Sequence, residues 1–401
     1  MQRITVNNPR TGWESIICEQ GLIYDETILD NGKKLHYWNE THAYQFTEQE
    51  VLDLEEATEQ LHRMSLEAAR FIADEQYKPN SPFKNFGISK EALEYATYSL
   101  DRSDPYLYGR FDLAYSGIPG DAPKMLEYNA DTPTGLIEGS IVQWYWKEHH
   151  FPDADQWNGI HEALISRFEE MRAARDSLGT MYFAWTSEDT TGEDVLTVGY
   201  MLDCAQQAGW ENPQLIDMKD IEYDYDEKIF YDPYDNPINN IFKLYPWEDM
   251  MDEEFGPYIA KQKPQGWLEP AWKMFLSTKM LLPALWHLYP GHEYLLPSYI
   301  GSPTGMEKWV KKPLHGREGD GITINAGDVQ LSPKQSRWGD EGYVYQEYVQ
   351  LPNYVGDEGE SNYPVLGTWM IGDDCRGVGI RESDGPLTDY YCRFVPNIIV
   401  D

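Results

Sequence analysis

Two short apolar runs, YGRFDLAY at 108–115 and KMLEYNA at 124–130, carry a polar side chain at alternate positions. Successive side chains on a strand point to opposite faces, so Arg110 and Asp112 share one face while Phe111 and Leu113 take the other. Glu127 and Asn129 likewise share a face, opposite Leu126 and Tyr128. If the two strands pair through the turn SGIPGDAP, two carboxylates and an amide oxygen come within reach of Arg110. An all-oxygen set of that kind suits Mg2+, a hard cation that binds through a few protein oxygens with phosphates and waters completing its shell. A half-exposed hairpin with a polar outer face satisfies the same parity, and alternation alone leaves both readings open.

The rest of the chain decides what such strands sit in. Its 401 residues are enough for one large domain or two to three ordinary ones. No period of 20 to 50 residues repeats and no low-complexity linker interrupts the chain, which predicts one compact body. Thr47 with Glu50 forms a capping box ahead of Val51, Leu54, Leu61, Met64, Ala68 and Phe71, a long amphipathic helix over 47–73 with nothing catalytic on it. GLIEGSIVQWYWKEHH reads as a buried helix and residues 160–176 as a second amphipathic one. GTMYFAWTS followed by DVLTVGYMLDCAQQAGW makes one strand–helix unit of an α/β layer. Residues 222–240 read as a surface hairpin or loop; the ordered Asp positions, central Gly and closing Glu of a calcium loop are missing. The C-terminal third turns to strands with glycine turns, in EKWVKKPLHGREGDGITI, GYVYQEYVQL, YPVLGTWMI and CRGVGIRE. That change of character puts a soft boundary near residue 300, between an α/β body at 1–300 and a β-rich part at 301–401.

Charge and cysteine usage exclude several classes. With 32 Lys plus Arg against 68 Asp plus Glu, the formal net charge is −36, which repels nucleic-acid backbones and anionic membrane surfaces. The excess is spread along the chain; it keeps the protein soluble and also favours a cationic substrate such as a polyamine. Cys18, Cys204, Cys375 and Cys392 stand far apart with no CxxC, so neither a zinc site nor a redox motif is predicted. The N-terminus lacks a signal-peptide core and no apolar run approaches the roughly 18 residues of a membrane span. A cytoplasmic location is expected.

KPLHGREGDG at 312–321 can serve the same chemistry as the polar strands. Gly316, Gly319 and Gly321 let backbone N–H groups approach an anion, with Lys312 just ahead of them. The GK[ST] ending of a P-loop is missing, and the stretch reads as a phosphate cover or as a plain hairpin turn. Seven motifs in order, RFD, EYNADTPT, FKLYPWE, EPAWKMFLSTKMLLPALW, KKPLHGREGDG, YVYQEYV and GIRES with RFVP, resemble the synthetase domain of glutathionylspermidine synthase and its shorter acid–amine ligase relatives. The resemblance spans about residues 10 to 400, and EYNADT and the glycine loop also look like segments of eukaryotic-type glutathione synthetase.

That resemblance implies an α+β ATP-grasp-type fold, with the metal site and substrate pocket in the 1–300 body and the glycine-rich lid and adenine strand in 301–401. It implies an ATP- and Mg2+-dependent ligase that joins a small-molecule carboxylic acid, glutathione-like or another peptide acid, to an amine such as spermidine through an acyl phosphate. By the same resemblance Asp112, Glu127 and Asn129 are the Mg2+ ligands and Arg110 stabilises the transition state. Lys279 and Lys312 hold ATP phosphates under Gly316, Gly319 and Gly321, Gln346 and Tyr348 face adenine, and Arg381 lies on the phosphate side. Taken alone, the two lysines read as solvated or snorkelling side chains, YVYQEYV as an ordinary core strand, and Arg381 as paired with Glu382 or a neighbouring acid. Thr132, Thr134 and Glu248 are implied in binding the acid substrate, while Trp247 and Trp272 read as core or pocket lining. Threonine and proline in DTPT depart from the family's serine-containing EYNADS, which puts glutathione itself in question. The chain is too short for the N-terminal amidase domain of the bifunctional relatives, and Cys18 lacks an amidase context. A nucleotide- or polyamine-binding protein on the same fold, or a peptide ligase with an unrelated acid and amine, remain the alternatives. The oligomeric state is not legible.

Overall fold

The helix that opens at Thr47 runs over Glu48–Glu75 in the computed structural model, which describes residues 1–28, 34–174, 179–333, 336–356 and 359–400. The predicted capping box closes it: Glu50 N–H donates to Thr47 Oγ1 at 3.3 Å and Thr47 N–H to Glu50 Oε2 at 3.0 Å. Leu54, Leu61, Ala68 and Ile72 are buried on one stripe, against the Leu281–Leu288 helix and the back of a five-stranded sheet.

That central sheet positions the site. Its order is Arg393–Val395, Asp374–Ser383, Tyr363–Ile371, Tyr108–Ala114 and Lys124–Asn129, all antiparallel. The Tyr108–Ala114 strand is therefore interior, with partners on both edges, and every residue of it is buried. The hairpin with a polar outer face is thereby excluded, because the polar face of these strands looks into the protein.

Beside this sheet stands a parallel four-stranded one in the order Gly266–Leu268, Asn240–Lys243, Met181–Trp185, Gln214–Asp217. The Glu193–Gln207 helix links its last two strands, as the strand–helix unit predicted. The expected helix at 160–176 is Ile160–Ala173, and residues 222–240 hold the small hairpin of Glu222–Asp224 with Ile229–Tyr231. The 135–150 segment is less regular than expected: a π-turn at Glu138–Val142 precedes an α-helix at Gln143–His150, and Trp144 and Tyr145 are exposed on it.

A third, antiparallel sheet covers the cavity, in the order Ser298–Ile300, Tyr343–Glu347, Trp309–Pro313, Thr323–Ala326, Val329–Leu331. It alone matches the β-rich lid. Residues after 360 return to the body: two of them are strands at the middle of the central sheet, and Asn397–Ile399 pairs in parallel with His42–Phe46. The boundary near 300 consequently marks the start of the lid sheet but separates no second unit running to 401. Among the described residues no helix is long and apolar enough to cross a membrane.

Candidate active site

The register of the two polar strands builds the floor of a cavity of about 360 Å³. Arg110 lies opposite Asn129 and Asp112 opposite Glu127, so the four side chains that parity put on two faces meet on one. Arg110 Nε donates to Asp112 Oδ1 at 2.8 Å, and its Nη1 donates to the Thr134 carbonyl at 2.6 Å, which fixes the guanidinium. Asn129 Nδ2 donates to Asp112 Oδ2 at 3.3 Å and to Glu127 Oε1 at 3.2 Å. Turning that amide end for end puts its oxygen where the nitrogen stands. Two carboxylates and an amide oxygen then face one point, a donor set that fits Mg2+. Among the described residues no group of three or more His, Cys, Asp or Glu gathers as a metal site; this set has two carboxylates and an amide.

Cations surround this floor. Arg381 pairs with Asp112, not with Glu382, because neighbours on a strand point to opposite faces. Glu382 lies behind the sheet, where it accepts from Arg3 Nε and Tyr44 Oη, each at 2.7 Å. Lys279 Nζ lies 3.1 Å from Glu127 Oε2 and donates to the Gly316 carbonyl at 3.1 Å. Lys312 Nζ donates to the Leu126 carbonyl at 2.8 Å. Neither lysine is solvated, so the snorkelling reading falls. Burial pushes the Glu127 carboxyl up, but Lys279, Lys312 and Arg381 overcome it and hold the group well below its usual range. Burial takes Lys312 down to about 8, with Glu127 working the other way. Burial lowers Arg381, but Asp112, Cys392 and Glu127 together outweigh it and hold the guanidinium above its ordinary value. At the floor itself four cations face Asp112 and Glu127, in a chain of net charge −36, while Asp131, Asp194, Glu248, Glu318 and Asp320 line other parts of the cavity. Such a local positive excess suits a polyphosphate carried with a metal ion.

The lid sheet closes the cavity. Gly316, Gly319 and Gly321 line or border it, the last two at φ +74°. Arg317, between the glycines, reaches Glu248 Oε1 at 2.5 Å and Asp249 Oδ2 at 3.3 Å, tying the lid to the body. Glu248, expected to meet substrate, is thereby shared with the lid; burial raises its carboxyl and Arg317 with His315 brings it below the usual range. Thr132 and Thr134 line the cavity beside it, and Gln346 and Tyr348 line it with Leu126, Val365 and Leu351. Gln346 Nε2 donates to the Met125 carbonyl at 2.9 Å, leaving its amide oxygen for another partner. Trp247 and Trp272 are both core, as read: Trp247 Nε1 donates to the Glu269 carbonyl at 2.9 Å and Trp272 Nε1 to the Asp104 carbonyl at 3.0 Å.

A second cavity of about 130 Å³ adjoins the first and shares Arg110, Thr134, Glu318, Arg381 and Thr388 with it. Glu193, Glu318 and Asp389 line it with Tyr24, Tyr37 and Tyr390. Burial raises the Glu193 carboxyl, and burial with Asp189, Glu193 and Glu318 nearby takes Asp194 up to about 7. Glu193 and Asp194 were missed in the sequence, where they look like helix N-terminal charges. Gly367 was missed too. It lies opposite Asp112, and a Cβ there would stand 2.8 Å from Arg110 Cδ, so only glycine leaves room for the arginine. An isolated glycine within a strand run is the signal that could have found it.

A family model described as glutathionylspermidine synthase preATP-grasp matches residues 4–400. The chain belongs to this family. A "Putative acid–amine ligase" of Haemophilus influenzae is 38% identical, and the match covers all of both chains. Trypanothione synthetase of Crithidia fasciculata is 26% identical over 82% of this chain, which spans 52% of that relative. A glutathione synthetase-like effector from Globodera pallida, solved in its apo form, has the same fold: TM-score 0.54 at 11% identity, covering 96% of this chain and 98% of that one. The family member is an ATP-grasp-type α+β protein and an enzyme of the C–N bond-forming ligase class.

Proposed function

We propose that the chain uses ATP and Mg2+ to join a carboxylic acid to an amine through an acyl phosphate. The observation that carries the reading is the convergence of Asp112, Glu127 and Asn129 with Arg110, Lys279, Lys312 and Arg381 on one lidded cavity. The acid's carboxylate oxygen attacks the γ-phosphorus and ADP leaves; the amine nitrogen then attacks the acyl carbon, and phosphate leaves as the nitrogen gives up a proton. Asp112, Glu127 and Asn129 would hold Mg2+, which neutralises charge between phosphates during transfer. Lys279 and Lys312 hold phosphate oxygens, and Arg110, fixed by Asp112 and the Thr134 carbonyl, is a preorganised cation where charge develops. Arg381 stands on the other side of Asp112 as a second such cation. Gly316, Gly319 and Gly321 cover the phosphates, and Gln346 and Tyr348 sit where adenine would lie among apolar side chains.

Thr132, Thr134 and Glu248 line the part of the cavity assigned to the acid. The adjoining acidic cavity, with its tyrosine rings and its shared Arg110, suits an ammonium-bearing amine such as a polyamine. Asp194, ionising near neutrality, can take the proton that the attacking nitrogen releases.

Asp112→Ala and Glu127→Ala are expected to abolish amine-dependent ADP release from a panel of peptide acids and polyamines while circular dichroism stays that of the wild type. Wild-type turnover in either variant would overturn the reading. ATP binding without turnover across the whole panel would favour a non-catalytic nucleotide-binding role instead.

A further inference from the structure

Between Arg317 and Gly319 the lid loop holds Glu318 at φ +51°, a left-handed backbone that is strained for any residue with a Cβ. At its other two left-handed positions the loop uses glycine, Gly319 and Gly321, each at φ +74°. No side-chain hydrogen bond or ion pair among the described residues offsets the strain at Glu318. Its side chain instead lines both the large cavity and the adjoining smaller one, and of the five residues shared by the two it alone belongs to the lid. In the smaller cavity its carboxylate joins Glu193 and Asp389. Arg110 and Arg381 border that cavity too, but both are turned to Asp112. Behind the effect of burial, Glu318 is among the neighbours that raise the Glu193 and Asp194 carboxyls, so closing the lid carries a negative charge towards two acids.

The lid's other contacts favour closure. Arg317 reaches Glu248 and Asp249, and Gly319 rests on the Thr388 carbonyl and Leu387, in the loop that also supplies Asp389 and Tyr390 to the smaller cavity. Closure of the empty protein is therefore opposed at Glu318, and a cation held between Glu318, Glu193 and Asp389 turns that repulsion into attraction. On the proposed reading, phosphates in the large cavity hold the same loop down through Gly316, Gly319 and Gly321. Two ligands that each favour the closed lid favour one another. We propose that Glu318 is a lid-borne contact for the amine, through which an ammonium group in the smaller cavity and Mg2+–ATP in the larger one tighten each other's binding. The coupling rests on the reading of the two cavities as amine and nucleotide sites, and it needs no chemical step.

A non-hydrolysable ATP analogue with Mg2+ is titrated by calorimetry into wild type, Glu318→Gln and Glu318→Asp, alone and with saturating spermidine, putrescine or ethanolamine, and each amine is titrated with and without the analogue. In the wild type at least one amine should tighten the analogue about fivefold or more, and the analogue should tighten that amine by the same factor. In Glu318→Gln the mutual tightening should fall below about twofold, while the analogue alone binds at least as tightly as to wild type, because the opposing charge is gone. A residue that only shaped the lid would lose analogue affinity instead. Glu318→Asp keeps the charge on a residue type that tolerates a left-handed backbone, and should retain about threefold tightening or more. The coupling is overturned by no mutual tightening in wild type, by undiminished tightening in Glu318→Gln, by tightening in Glu318→Asp as weak as in Glu318→Gln, by weaker binding of the analogue alone to Glu318→Gln, or by no binding of any amine. Amine-dependent ADP release with the panel of acids separates the two readings. Tightening that Glu318→Gln abolishes, with no ADP release from any acid, sinks the ligase reading and leaves the coupling standing; ADP release with equal tightening in wild type and Glu318→Gln does the reverse.

Discussion

Arg110 is held by its neighbours more tightly than any other cation of the floor. Asp112 and the Thr134 carbonyl take its donors, and Gly367 supplies the space for its stem. In Gly367→Ala the new Cβ would meet Arg110 Cδ at 2.8 Å and the Gly379 carbonyl oxygen at 3.1 Å, so the arginine has to move. With Arg110 as the transition-state cation of the proposed mechanism, its displacement is expected to lower kcat by about a hundredfold. ATP affinity, which the proposed site assigns to Lys279 and Lys312, should change little, and steady-state kinetics beside ATP titration checks the split. In the proposed mechanism Asp194 and Lys312 are expected to set the pH dependence. Asp194, pushed up by burial and its acidic neighbours to about 7, is protonated below that pH and can act as a base above it. Lys312, lowered by burial to about 8, loses its charge above that pH. The rate should therefore rise through about 7 and fall above about 8, with Asp194→Asn removing the acid limb and keeping the alkaline one. A rate profile whose acid limb is the same in Asp194→Asn would assign that limb to the amine substrate.

The lid hairpin works through its glycines, and they are not equivalent. Gly319, at φ +74°, rests on the 384–392 loop, where an added Cβ would stand 3.1 Å from the Thr388 carbonyl oxygen and 3.3 Å from Leu387. Gly327, at φ +69° in the outer turn of the same sheet, has nothing within 4 Å of that position. Alanine at either site carries the strain of a left-handed backbone, about 1 kcal/mol or more. Only Gly319→Ala should also hold the lid off its seat, raising KM for ATP about tenfold relative to Gly327→Ala, a difference that initial-rate measurements can read. Elements such as this hairpin and the Glu48–Glu75 helix were legible because their signals are local: glycines around a turn, a Thr47–Glu50 box, a stripe of Leu54, Leu61 and Ala68. The 135–150 segment was harder, since a π-turn leaves no periodic mark in the sequence.

What local signals could not report is which strands become neighbours. Parity assigned Arg110, Asp112, Glu127 and Asn129 to their faces, but the facts that make those faces a floor come from residues some 250 positions away. Tyr363–Ile371 covers the free edge of Tyr108–Ala114, Gly367 makes room for Arg110, and Arg381 pairs with Asp112. Hydrophobic alternation in the last forty residues shows strands there and says nothing of their partners, so a boundary near 300 followed the change in composition and missed the return of the chain. The return has a measurable consequence. A fragment ending at residue 361 loses Tyr363–Ile371 and Asp374–Ser383 from the middle of the central sheet, together with buried Trp369, Val378, Ile380, Phe394 and Ile398. It turns the interior Tyr108–Ala114 strand, with Tyr108, Phe111 and Leu113, into an apolar edge. Cavities left by single large aliphatic or aromatic core side chains cost about 2–5 kcal/mol each, and losing these together with two interior strands matches or exceeds the whole stability of an ordinary domain, about 5–15 kcal/mol. The fragment is therefore expected to aggregate and to show no cooperative unfolding transition in urea, under conditions where the full chain shows one. A cooperative transition in the fragment with an m-value in proportion to its length would mean that residues 1–361 form an independent domain and that the last strands only dock on it.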